Sequence, residues 1–92
     1  MYRVKLTPTA GRMFSNLHPI IKKQLKSALK ELYGTPSLGK ALRNELIGFR
    51  SLKMKRYQVI YQIDNRDKAV IIYSIGHRRD IYEIVTQLAV DY

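Results

Sequence analysis

The run Val70-Ile71-Ile72-Tyr73-Ser74-Ile75 is apolar at almost every position and ends at Gly76, with His77, Arg78 and Arg79 following at once. A strand that is apolar on both sides of its pleat has to be covered on both faces, so it belongs in the middle of a sheet. It follows Tyr57–Ile63, a second β-branched and aromatic run, across the polar loop 64–68. That run in turn follows Phe49–Met54 across Lys55-Arg56. Short polar turns between such runs dictate an antiparallel meander. In it, residues 50–56 and 77–79 flank the strand 57–63 and converge.

The N-terminal half has a different period. Residues 2–6 alternate and predict a first strand. Thr7-Pro8 reads as an N-cap followed by proline at the first helical position. Ala10, Met13, Phe14 and Leu17 then fall on one helical face,. His18-Pro19 breaks this helix and starts another, with the stripe Ile21, Leu25, Ala28, Leu29 and Leu32, and with Lys22, Lys23, Lys26 and Lys30 as its solvated side,. Gly34 and Pro36 stop it. Two helices joined this tightly predict an antiparallel hairpin. Residues 34–48 read as an extended loop pinned by Leu38, Ala41, Leu42, Leu46 and Ile47. Asp80 can cap a short final helix with Ile81, Ile84, Val85 and Leu88 inward. The fold class is α+β: an N-terminal strand and helical hairpin packed on an antiparallel sheet, then a short C-terminal helix, in one domain over 1–92. The helices cover one sheet face, and the other carries basic side chains.

Charge narrows the partners. Seventeen Lys and Arg against seven Asp and Glu give +10, and seven basic residues precede Glu31, the first acidic one. Such a surface attracts polyphosphates by counterion release, or an acidic protein. The chain lacks cysteine, which excludes disulfides and thiolate metal sites and fits a reducing cytoplasm. No apolar run reaches transmembrane length, and the first residues do not read as a signal peptide. Two separated histidines build no metal site, and no cofactor is expected.

What remains is cations with phenols. RNA is cleaved without metal when its 2′-hydroxyl attacks the adjacent phosphate. That reaction needs a proton acceptor, cations for the phosphorane charge and an acid for the leaving oxygen. The sequence supplies Arg50, Lys53, Lys55 and Arg56 around one strand, and His77, Arg78, Arg79 and Tyr82 after another.

Arg56-Tyr57-Gln58-Val59-Ile60-Tyr61-Gln62-Ile63 and Ser74-Ile75-Gly76-His77-Arg78-Arg79-Asp80-Ile81-Tyr82 resemble the RelE/ParE superfamily of toxin–antitoxin toxins. The second resembles the Gly-His-Arg-Arg-x-x-Tyr ending of RelE-type members. Leu17-His18-Pro19 and Gly48-Phe49-Arg50 also match the family layout. The resemblance implies a ribosome-dependent mRNA endonuclease in the cytoplasm, held in a hetero-oligomer by a cognate antitoxin. It implies Arg78 for transition-state charge, Tyr82 as general base and Lys53 as a sheet lysine. Arg50, Lys55, Arg56, Gln58, His77 and Arg79 are the candidate RNA- and phosphate-binding residues. Two positions depart from the family. Gln58 stands where an arginine is usual, and Ser51 stands where a second sheet cation is expected, with Arg50 or Lys55 as substitutes. A ParE-like poison of DNA gyrase and an inactive toxin-fold binding protein remain as alternatives.

Overall fold

The computed structural model describes residues 1–77. The expected C-terminal helix lies outside the described residues. Five strands form one sheet in the order β1-β5-β4-β3-β2: β1 (Arg3–Leu6), β2 (Lys40–Ala41), β3 (Arg50–Met54), β4 (Tyr57–Asp64) and β5 (Ala69–His77). The helices α1 (Pro8–Ser15) and α2 (Pro19–Lys30) lie between β1 and β2 in the chain.

Both helices start as their sequences dictate. The Thr7 hydroxyl accepts from the Ala10 N–H at 3.1 Å, and Pro8 follows it. His18 caps α2 through Nδ1, which accepts from the Ile20 N–H at 3.2 Å. A single 3-10 turn, Glu31–Tyr33, extends α2. The helical stripe packs on the sheet: Ala10, Leu25, Leu29 and Leu32 join Val59, Tyr61, Val70, Ile72 and Ile75 in one core. Each fully buried aliphatic side chain here stabilises the fold by about 1.5–3 kcal/mol. Met13 seats α1 on β5, its sulfur accepting from the Ile75 N–H at 3.4 Å.

The antiparallel meander β3-β4-β5 is as expected. Three features differ from the sequence expectation. First, β1 pairs with β5 in parallel, so the sheet is mixed and β4, not β5, is the middle strand. Second, β5 runs on through Gly76 and His77 instead of ending at Ile75. Third, the segment before β3 is not a plain loop. It makes 3-10 turns at Pro36–Leu38 and Asn44–Leu46, with β2 between them. Only Leu42 and Leu46 of its apolar residues pack inward, joining Phe49, Ile60 and Tyr73 in a second small core. Leu38 and Ile47 are exposed, as is Ala41. Ile60 alternates with Val59 and Tyr61, so this second core lies on the sheet face away from the helices. That face is therefore partly apolar, not wholly basic. A register shift beside Ile60 and Tyr61 leaves Tyr73 extra on β5. Its ring meets Phe49 edge-on at 5.2 Å.

Tyr61 ties the segment before β3 to the core. Its hydroxyl accepts from the Gly39 N–H at 2.8 Å and donates to the Pro36 carbonyl at 2.6 Å. Gly39 has to be glycine, since a Cβ there would stand 2.6 Å from that hydroxyl. Burial holds the Tyr61 phenol neutral above the ordinary value of about 10, outweighing the opposite pulls of the Gly39 N–H and the Arg50 charge. The unfolded chain therefore loses this proton first. Stability from Tyr61 is intact below about pH 10 and is lost as pH rises through the raised value. Tyr61→Phe removes both bonds and is expected to cost roughly 1–3 kcal/mol in urea unfolding at pH 7. It should also flatten the alkaline loss of stability, and identical alkaline profiles for the two proteins would exclude Tyr61 as its source.

Candidate functional site

Cross-strand partners share a sheet face. On β3, β4 and β5 the register sets Lys53 opposite Gln58, and Gln58 opposite Gly76. These three residues form a row on the face away from the helices, at the end where β3 stops and β5 ends. Lys53 is exposed. Gly76, on the far side of Gln58, adds no side chain to the row, and a Cβ built there meets no described atom within 4 Å.

Gln58 does not present itself to a ligand. It is 1% exposed and its amide donates to the Ser51 hydroxyl, itself 5% exposed. The side chain that the sequence reading sets on the RNA is therefore buried on β4. The two positions that depart from the family pattern are thus bonded to each other. A neutral pair fills the floor of the site.

Arg50 is also placed differently from expectation. It stands opposite Tyr61, on the helix side, and its Nη1 donates to the carbonyls of Ser37 at 3.2 Å and Gly39 at 2.7 Å. It clamps the chain next to β2 and does not share a face with Lys53. Lys55 and Arg56 are exposed in the two-residue turn between β3 and β4, where Lys55 adopts a left-handed φ of 56°. This turn adjoins the end of β5, because Tyr57 lies between Met54 and His77. The exposed His77 stacks on Tyr57 with ring centroids 4.7 Å apart. Lys53, Lys55, Arg56 and His77 therefore gather at one end of the sheet, whereas Arg50 does not. Arg78, Arg79 and Tyr82 lie outside the described residues.

Sequence reading missed Lys40. A two-residue strand has no readable period, yet β2 sets Lys40 opposite Ser51, on the Lys53 face. Among the described residues no group of three His, Asp or Glu could hold a metal. On the helix side, a groove of about 400 Å³ runs between β1 and α2, lined by Val4, Leu6, Phe14, Lys26, Leu29, Lys30 and Tyr33.

The Ser51–Gln58 bond sets a stability expectation. Gln58→Leu strands the Ser51 hydroxyl and should cost roughly 1–3 kcal/mol in denaturant unfolding. The double change Ser51→Ala with Gln58→Leu should cost less than the sum of the two single ones. Additive costs in that cycle would show that the two side chains do not depend on each other.

The model of the family described as ParE toxin of type II toxin–antitoxin system, parDE, matches residues 4–82. Toxin RelG of Mycobacterium tuberculosis is 37% identical over 83 residues, spanning 88% of this chain and 95% of that protein. A chain of the toxin–antitoxin complex RelBE2 from M. tuberculosis superposes with a TM-score of 0.77 at 35% identity, covering 84% of this chain and 98% of its own length. The isolated RelE toxin of E. coli, 22% identical, shares the fold with a TM-score of 0.76 over 96% of this chain and 98% of its own. A match over nearly the whole described sheet and both helices, with this identity to a curated toxin, makes the chain a member of the RelE/ParE family of toxins of type II toxin–antitoxin systems.

Proposed function

We propose that this toxin is a RelE-type, ribosome-dependent mRNA endonuclease. The observation that carries the reading is the register of the meander. It brings exposed Lys53 to the same end of the sheet as Gly76 and His77, and residues Arg78 and Arg79 follow directly in sequence. In this reading the 2′-hydroxyl of the target nucleotide loses its proton to Tyr82 and attacks the adjacent phosphorus. Lys53 holds the phosphate, and Arg78 stabilises the extra charge of the phosphorane. The bond to the 5′ oxygen breaks, that oxygen takes a proton from solvent water, Tyr82 returns its proton to solvent, and the products are a cyclic phosphate and a 5′-hydroxyl. Lys55, Arg56, His77 and Arg79 bind flanking phosphates, aided by the +10 charge. Messenger RNA and ribosomes place this action in the cytoplasm. No helix among the described residues is long and apolar enough to cross a membrane.

The partner that silences it is a cognate antitoxin bound in a hetero-oligomer. β1 is an edge strand. Arg3 and Thr7 donate inward to Lys68 and Ile72, so the backbone groups of Val4 and Leu6 face outward. Beside that edge, unpaired among the described residues, lies the groove with Lys26 and Lys30 on its rim. An extended antitoxin segment with alternating apolar residues and flanking carboxylates fits both features.

The neutral Ser51–Gln58 pair favours a second reading, a ParE-like gyrase poison, because the cations of an RNA-cutting sheet are replaced there. Primer extension on a reporter mRNA in a purified translation system separates the two. Discrete cuts only with ribosomes, reduced about 10²-fold in Lys53→Ala and abolished in Arg78→Ala, are expected. Intact mRNA together with blocked gyrase supercoiling would establish the second reading instead.

A further inference from the structure

We propose that Lys40 is the second phosphate-holding cation of the sheet face away from the helices, standing in for the charge that Ser51 does not carry. This rests on the mRNA-cleavage reading above. The hydroxyl of Ser51 is buried against Gln58, and nothing charged can rise from that point of β3. Its cross-strand partner is Lys40. Directly opposed Cβ atoms on one face are about 4.5–5.5 Å apart, and diagonal ones about 7–8 Å. Lys53 lies two residues beyond Ser51 on the same strand, hence on the same face and diagonal to Lys40. Both lysines are exposed. Two ammonium groups therefore rise from neighbouring strands over one neutral floor, where a single phosphodiester can be held between them.

The two substitutes suggested by sequence are placed elsewhere. Arg50 lies on the opposite face with its Nη1 on two carbonyls, and Lys55 lies in the turn. Arg50 instead serves as a positioning residue. The residue before Lys40 is Gly39, whose N–H donates to Tyr61 and whose carbonyl accepts from Arg50. A strand of only two residues is thereby held in a fixed place, so Lys40 is presented from rigid backbone.

The test uses the purified toxin and a single-stranded RNA oligonucleotide with 2′-O-methyl riboses, which has no nucleophile and stays intact. Affinity is measured by anisotropy across a salt series. Lys40→Ala should lower the slope of log affinity against log salt by about 0.7, and Lys40→Arg should keep the wild-type slope. Lys23→Ala, an equal loss of charge on the exposed side of α2, should leave the slope unchanged. In the ribosome assay, Lys40→Ala should lose about tenfold in kcat/KM, carried by KM, with an unchanged melting temperature and with activity regained in Lys40→Arg. Equal slopes for Lys40→Ala and Lys23→Ala, or full cleavage by Lys40→Ala, would overturn the proposal. A wild-type toxin that cuts nothing would overturn the cleavage reading, while the salt slopes still decide whether Lys40 holds phosphate.

Discussion

The register in which β4 pairs with β3 on one side and β5 on the other is the constraint on which the rest depends. Side chains alternate strictly along a strand, so a slip of one residue would move every one of them to the other face. In the observed register Val59 and Tyr61 enter the helix-side core, while Gln58 and Ile60 face away from it. The same register brings Lys53, Gln58 and Gly76 into line. The core thus sets the site: the apolar residues that forbid slippage also decide which cations share a face.

Tyr61 extends that control beyond the sheet centre. It is buried in the main core, yet its hydroxyl reaches the backbone at Pro36 and Gly39, and Arg50 reaches the same segment from its own strand. Buried polar groups are costly when unpaired and specific when paired. Here the pairing gives a short edge strand a defined position with little apolar burial of its own. The charge distribution acts in the opposite sense, since a +10 chain of 92 residues repels itself.

Much of the architecture was legible in the sequence because it is local. The Thr7-Pro8 and His18-Pro19 starts, the helical stripes and the β3-β4-β5 hairpins are all written within a few residues of where they occur. The parallel seat of β1 was not, since nothing in residues 3–6 names a partner near residue 70. The same is true of β2, whose two residues carry no period, and this hid Lys40. Arg50 and Gln58 looked like free polar groups on a strand. Their roles as clamp and floor depend on which face each occupies and on what the neighbouring strand brings. Lys53, between Leu52 and Met54 on β3, is exposed as a lysine on an outer strand is expected to be.

The pairing of β1 with β5 has a consequence for how the toxin is made. Arg3 finds its partner at Ala69, so β1 waits for a strand made more than sixty residues later. Contacts of such long sequence separation form late. The helical half can collapse first, but the sheet cannot close and the row of Lys53, Gln58 and Gly76 cannot assemble until β5 is released. Lys53 and Gln58 are thus made before the strand that completes their row.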